Sequence, residues 1–169
     1  MTDDQHDHHD HEGHHHGHEP VEIDADQHRS LAVGLFNHVW ELLGTPERSH
    51  ELDTEMLHAA HASRFHWGVV GGPQQLAVGE WQCSRVYSVL GRAEPALHHA
   101  RESLAICEQA ELGDWVLAAA YEALARASGV AGDAAATAAW LGKARDAVAN
   151  IAEVEDRDVI QADLDNLGS

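Results

Sequence analysis

The sequence predicts an all-α protein, and three observations support that class. Hydrophobic residues make up 44% of the chain, and they are rich in Ala and Leu and poor in β-branched types, which favours helices over sheets. From Asp24 onward, apolar residues recur at three- and four-residue steps, the period of one helix face. Short segments containing Gly or Pro interrupt this pattern, so we expect helices joined by tight turns.

Two helices are expected on either side of Gly44. The first carries one apolar stripe, formed by Leu31, Leu35, Val39 and Leu42. The second is predicted to start after Thr45, a good N-cap residue with Pro46 at the first helical position. It should run to about Val70, because two glycines and Pro73 follow.

Five more helices are predicted along the rest of the chain. The third, fourth and fifth cover about residues 74–90, 94–110 and 114–130, with Asp114 as the N-cap of the fifth. The sixth carries Trp140, Ala144, Val148 and Ile151, and a short seventh at about 156–167 caps the array. Short connections make sequential helices antiparallel neighbours, so we expect three stacked hairpins and a capping helix.

Charge and hydropathy exclude several classes of partner. The net charge is −19, with seven acidic and no basic residues in 1–22, and 22 acidic against ten basic residues in 23–169. Nucleic acids and anionic membranes attract cationic surfaces, so we expect neither as a partner. The sequence has no long apolar run and no signal-peptide pattern, which predicts a cytoplasmic location.

Residues 1–22 form a His/Asp-rich tail, and residues 23–169 are expected to form a single domain. The tail lacks residues able to build a core, so we expect it to be disordered. Because Asp, Glu and Gly interrupt its histidines, it reads as native sequence rather than as an expression tag. Imidazole-rich arms bind Ni, Zn or Cu, and the predicted ligands are His6, His8, His9, His11, His14, His15, His16 and His18.

An internal repeat relates helices three and four to helices five and six at a constant offset of 41. It places Gly91 on Gly132 and Arg85 on Arg126. Stacked helical hairpins produce such a repeat, because each hairpin buries its face only against its neighbours.

Residues 86–106, VYSVLGRAEPALHHARESLAI, resemble a tetratricopeptide repeat. Tyr87 stands in the first helix, Leu90 and Gly91 at the turn, and Ala96 early in the second helix. HAAHASRFHW together with GEWQCSRVYSVLGRAEPALHHAR is also similar to uncharacterised bacterial proteins of that group. The resemblance implies a short right-handed superhelix with a concave groove for a peptide or protein segment. The next hairpin departs from the pattern, since Thr137 stands where the family prefers Ala.

The same position relative to each turn carries a hydrogen-bond donor. His38, Arg85 and Arg126 each precede a turn glycine by six residues, so regular stacking would align them in the groove beside Trp81 and Glu122. Arginine binds carboxylates bidentately, which predicts an acidic or C-terminal carboxylate ligand. The alternative is that Arg85 and Arg126 pair with acids of the chain such as Glu122 and Glu41.

Helix two presents a second candidate site within the sequence EMLHAAHASRFHW, residues 55–67. On a helical wheel Glu55, His58 and His61 share one face, and Glu55 with His58 has the Glu-x-x-His spacing of dimetal bundles. These residues could bind Zn, Ni or Fe, with His38 and Glu41 opposite. The alternative is that His58 and His61 form hydrogen bonds with acidic side chains or backbone groups between helices one to three.

Catalytic motifs are absent from the sequence. Ser63, Ser84 and Ser103 lie within predicted helices, and there is neither a Gly-x-Ser-x-Gly elbow nor a phosphate-binding loop. We therefore expect a non-catalytic interaction protein that requires no cofactor, and leave open a homodimer and a metal-dependent enzyme. The other hypothesis is a metal-handling protein in which the tail buffers Ni, Zn or Cu.

Overall fold

A computed structural model describes residues 22–167, and the all-α prediction is confirmed. These residues contain seven α-helices and no strand. The helices are α1 Ala25–Leu43, α2 His50–Val70, α3 Pro73–Val89, α4 Ala93–Gln109, α5 Asp114–Val130, α6 Ala134–Val148 and α7 Val154–Leu167. The predicted disorder and metal ligands of the tail fall outside the described residues.

The first six helices pair as three antiparallel hairpins. The two helices of the first hairpin run in opposite directions. His28 near the start of α1 contacts His66 near the end of α2, and His38 near the end of α1 contacts Glu55 near the start of α2. Buried serine hydroxyls tie the two helices of a hairpin together. Ser63 Oγ of α2 donates to Ala32 O of α1, and Ser103 Oγ of α4 donates to Ala77 O of α3.

The turns after α3 and α5 have the same backbone structure. Gly91 and Gly132 have φ values of 68° and 75°, the left-handed region that glycine adopts without steric cost. In both turns the following residue donates its N–H five residues back, Arg92 to Tyr87 O and Asp133 to Ser128 O. The internal repeat of the sequence is therefore also a structural repeat at these turns.

The predicted start of α2 is wrong by several residues. Ser49 is the N-cap and the helix begins at His50. Thr45 Oγ1 instead donates to Glu41 O, and the Arg48 guanidinium donates to carbonyls of residues 42, 43 and 45. The last carbonyls of a helix need such donors, so residues 45–48 close α1 rather than open α2.

Asp114 is not the N-cap predicted for α5. Gly113 occupies that position, while Asp114 has a φ of 55°. The Asp114 carboxylate accepts a hydrogen bond from Ala152 N at 3.2 Å. Its role is therefore to join the start of α5 to the segment that leads into α7.

Helix α7 continues the stacking order of the hairpins. Helix α5 packs against the two helices that precede it, α3 and α4, and α7 packs in the same way on α5 and α6. Ile160 and Leu164 are its buried residues. Within residues 22–167, no helix combines the length and hydropathy needed to cross a membrane.

Candidate functional site

A cleft of about 180 Å³ opens between α1, α2, α3 and α5. We call it the central cleft, and it is lined by Val33, Phe36, Trp67, Gln74, Gln75, Val78 and Trp115. The lining is mainly apolar and aromatic, with two amides that can orient a ligand. Val33 is 44% exposed, so solvent reaches the apolar wall. None of these residues belongs to a site predicted from sequence.

Aromatic side chains extend the wall of the central cleft toward the predicted groove residues. Phe36 packs edge-on against Trp40 with ring centroids 6.2 Å apart, and Trp40 contacts Trp81 at 5.4 Å. Trp81 Nε1 then donates to Glu122 Oε2 at 3.1 Å. A continuous chain of contacts thus leads from the central cleft to a buried carboxylate.

The predicted arginines converge on Glu122, which is only 1% exposed. Arg85 Nη1 lies 3.3 Å from Glu122 Oε1, and Arg126 Nε donates to the same oxygen at 2.6 Å. Asp163 of α7 completes the group, 2.8 Å from Arg85 Nη2 and 3.5 Å from Arg126 Nη2. We call these four side chains the Glu122 network.

The Glu122 network gives both arginines carboxylate partners within the chain. Of the two alternatives in the sequence, pairing with acids of the chain is the arrangement observed, although Asp163 rather than Glu41 joins Glu122. Asp163 follows Glu122 at the same offset of 41 by which Glu122 follows Trp81 and Trp81 follows Trp40. This spacing could have identified Asp163 from sequence.

His38 does not join the row of donors predicted with Arg85 and Arg126. Its Nε2 lies 2.7 Å from Glu55 Oε1, and its Nδ1 lies 3.4 Å from Glu41 Oε2. The hydrogen bond to Glu55, followed by that to Glu41, raises the pKa of His38 above 6.5. The register explains the difference, since the contact of Trp40 with Trp81 aligns α1 with α3 at the repeat offset. The sequence separation of His38 and Arg85 is larger than the repeat offset of 41, so the two residues do not occupy equivalent positions of the repeat.

The metal site predicted at Glu55, His58 and His61 is not assembled. Glu55 pairs with His38, His58 is exposed, and His61 Nε2 lies 2.9 Å from the Tyr87 hydroxyl. Across the described part of the chain, no three His, Cys, Asp or Glu side chains are grouped to hold a metal ion. Residues that share one face on the helical wheel thus contact different helices, because Glu55 pairs with His38 of α1 and His61 with Tyr87 of α3.

A polar cluster between α2, α3 and α4 was missed from sequence. Glu80 lies 2.7 Å from Arg64 Nε and 2.6 Å from His99 Nδ1. Burial alone would raise the pKa of Glu80, but the His99 hydrogen bond and the Arg64 charge outweigh burial and lower it. His61 stands 5.2 Å from His99 between ring centroids, and burial, followed by the nearby His99 charge, lowers its pKa.

The cysteines are unsuited to nucleophilic chemistry. Cys83 and Cys107 are buried, and neither forms a disulfide. Burial raises the pKa of Cys83 to about 12 and that of Cys107 to about 11. Because the thiolate is the reactive form, both side chains act as packing residues at neutral pH.

Comparison with protein-family models, with curated proteins and with solved structures finds no match for this chain. The fold and the geometry of the side chains are therefore the basis for any assignment of function. The tetratricopeptide resemblance stays a prediction.

Proposed function

We propose that the protein is a non-catalytic scaffold that binds a peptide segment of a partner protein in the central cleft. We further propose that its hairpins form a short, tetratricopeptide-like right-handed superhelix capped by α7. The observation that carries the proposal is the exposed apolar and aromatic lining of the central cleft. Apolar anchors inserted into such pockets supply much of the affinity of peptide interfaces.

The volume of the central cleft limits what it can bind. About 180 Å³ is less than the usual volume of roughly 300–1,000 Å³ for a small-molecule pocket, so it suits one apolar side chain rather than a cofactor. Gln74 and Gln75 offer amide donors and acceptors to the backbone on either side of such an anchor.

The charge of the chain favours a peptide with basic residues beside its apolar anchor. A net charge of −19 attracts cationic segments and accelerates their encounter. An acidic or C-terminal carboxylate ligand, the prediction from the arginines, remains an alternative. It requires displacement of Asp163 from Arg85 and Arg126, because those guanidinium groups are already paired.

Selection of displayed random peptides on the full-length protein tests this proposal. We expect enriched sequences to combine one aromatic or aliphatic anchor with Lys or Arg, and Val33→Glu to weaken their binding at least ~10-fold, since it places a charge in an apolar pocket. Val159→Glu is the matched control, because Val159 is 61% exposed on α7. Equal binding by both variants would exclude the central cleft as the binding site.

A second candidate function is metal handling by the tail, and a sequence observation supports it. Eight histidines lie between positions 6 and 18, and neutral imidazole is a ligand for Ni, Zn and Cu. The tail would then buffer these metals while the helical domain binds a partner.

Calorimetric titration of Ni(II) and Zn(II) into the full-length protein tests metal handling at pH 7.5 and pH 5. We expect binding at pH 7.5 and its loss at pH 5, because protonation of histidines near their ordinary pKa of ~6.5 removes the ligands. Equal affinity at both pH values would rule out coordination by histidine.

A further inference from the structure

A cavity of about 330 Å³ opens where α3, α5 and α7 end. We call it the distal cavity, and it is lined by Ser88, Val89, Arg126, Gly129, Val130 and Leu167. Trp115 at the start of α5 lines the central cleft, and Gly129 near the end of the same helix lines the distal cavity. About 20 Å of helix separates these two residues, so the two sites are distinct.

Two polar groups that border the distal cavity lack hydrogen bonds. Ser88 is 8% exposed, and its buried Oγ has no partner among the described residues. Arg126 Nη2 is ion-paired with Glu122 and Asp163, yet within residues 22–167 it makes no hydrogen bond. Across the described part of the chain, no other buried side-chain nitrogen or oxygen lacks one. Both unsatisfied groups therefore belong to residues of one cavity.

Gly129 widens the distal cavity because it has no side chain. It occupies in α5 the position that Ser88 occupies in α3, at the repeat offset of 41. A Cβ atom at Gly129 would approach only Thr137 Oγ1, at 3.8 Å, which is an ordinary van der Waals contact. Alanine would therefore fit and would stabilise the helix. The unsatisfied hydroxyl and this glycine both lower stability at one place, which is typical of a functional site.

The donors of the distal cavity suit an uncharged carbonyl oxygen. A serine hydroxyl and a guanidinium N–H both donate to an oxygen acceptor, and Ser88 turns about a single side-chain bond to meet one. A carboxylate would place a third negative charge beside Glu122 and Asp163, whose charges the two arginines of the Glu122 network already balance. Like charges at such short range repel, so the site favours a neutral acceptor over an anion.

Apolar walls surround these donors. Val89, Val130 and Leu167 supply them, and Val89 is 43% exposed, so solvent reaches the distal cavity. A neighbouring cavity of about 430 Å³ shares Gly129 and Leu167 and adds Leu141. The volume of the distal cavity, about 330 Å³, falls within the roughly 300–1,000 Å³ of small-molecule pockets. The site thus has room for the apolar part of a small ligand.

We propose that the distal cavity binds a small apolar molecule that carries an uncharged carbonyl group, such as an amide or a ketone. The carbonyl oxygen accepts hydrogen bonds from Ser88 Oγ and Arg126 Nη2, and the apolar part lies against Val89, Val130 and Leu167. This binding is independent of peptide binding in the central cleft, so either proposal can fail alone.

Titration of cyclohexanecarboxamide into the full-length protein with ¹³C-labelled methyl groups tests this inference. We expect saturable shifts of the Val89, Val130 and Leu167 methyl signals and an unchanged Val33 signal, because Val33 lies in the central cleft. Cyclohexanecarboxylate, which differs chiefly in its charge, should bind at least ~3-fold more weakly. Absence of saturable shifts with the amide, or equal or tighter binding of the carboxylate, would overturn the inference.

Two variants separate binding from folding. Ser88→Ala should weaken binding of the amide about fivefold, the effect of one lost hydrogen bond. Ser84→Ala is its matched control on α3 and should leave the affinity unchanged, because Ser84 Oγ already donates to Ala96 O at 2.9 Å. Gly129→Leu should abolish binding and leave the Val33 signal in its folded position, since the new side chain fills the cavity. Wild-type affinity in Ser88→Ala or in Gly129→Leu would exclude this site.

Discussion

Individual buried hydroxyls differ in whether the fold provides a partner for them. Ser103 is 1% exposed, and its Oγ donates to Ala77 O at 2.9 Å. Ser88 Oγ is also buried but finds no partner among the described residues. Two serines of similar burial should therefore respond in opposite ways to removal of the hydroxyl.

Ser103→Ala should lower the free energy of unfolding by ~1 kcal/mol, the net value of a buried hydrogen bond. Ser88→Ala should leave stability unchanged or increase it, because it removes an unsatisfied polar atom. Urea denaturation of the two variants checks this prediction. A larger loss for Ser88→Ala than for Ser103→Ala would contradict the hydrogen-bond assignment.

Histidine titration gives opposite pH dependences at two sites of α1 and α2. The lowered pKa of His61 means that its neutral form is favoured in the folded state, so its stability contribution is present above pH 6.5 and is lost as the pH falls from there through the folded-state pKa. The raised pKa of His38 gives the opposite dependence of stability on pH. Its contribution is present below pH 6.5 and lost as pH rises through the folded-state pKa.

Urea denaturation at pH 7.5 and pH 5.5 should therefore separate His61→Gln from His38→Gln. Acidification should destabilise His61→Gln less than wild type, and His38→Gln more than wild type. Partial exposure of His38 makes its effect the smaller of the two. A shift of both variants in the same direction would show that these assignments of sign are wrong.

At the scale of helices, sequence patterns predict the elements well where only local signals decide. The bounds of α5 agree with the prediction, and those of α3 and α4 agree within one residue. The start of α2 was missed because Thr45 and Arg48 bind the carbonyl end of α1. That choice depends on a three-dimensional partner, which a local N-cap pattern does not contain.

The sequence predicted most residues around the Glu122 network, but it did not predict which of them pair with one another. Trp81, Arg85, Glu122 and Arg126 do lie together, yet Asp163 completes their charges, and only the repeat offset extended to α7 points to that residue. The prediction that His38 lies in the groove was wrong, because its position was counted from the turn glycine rather than from the repeat offset of 41.

The central cleft could not be recognised from sequence. Val33 and Val78 look like ordinary helix residues until α1, α3 and α5 are placed side by side. An apolar residue on an exposed wall and one in a core follow the same helical period, so the pattern alone does not separate them.

Helix α7 depends on the Glu122 network for its attachment. Asp163 contacts both arginines, and the buried side chains of α7 are those of Ile160 and Leu164. Asp163→Asn should therefore destabilise the docked helix by ~2 kcal/mol, the value of a hydrogen bond to a charged group. We expect faster hydrogen exchange in α7 and unchanged exchange in α1 and α2.

Asp158→Asn provides the control for that measurement, because Asp158 is an exposed residue of the same helix. Its exchange pattern should match that of the wild-type protein. Uniform acceleration across all seven helices in Asp163→Asn would contradict a local role for the ion pair.

For the molecule as a whole, one register relates four helices. Positions 40, 81, 122 and 163 lie on α1, α3, α5 and α7 at a constant offset of 41, and each contacts the next or shares its partners. The period exceeds the ~34 residues of a tetratricopeptide repeat. This arrangement closes one part of the α1–α3–α5 surface with the Glu122 network and leaves the central cleft open in the other part.

The tryptophans of the chain allow a direct test of whether a peptide anchor enters the central cleft. Trp67 and Trp115 line the cleft. Trp140 is not part of the lining, and its ring stacks on that of Tyr121 with centroids 5.9 Å apart. Titration of a selected peptide into ¹⁵N-labelled full-length protein should shift the indole N–H signals of Trp67 and Trp115 and leave that of Trp140 unchanged. Saturable binding that leaves the Trp67 and Trp115 signals in place would contradict peptide binding in the central cleft.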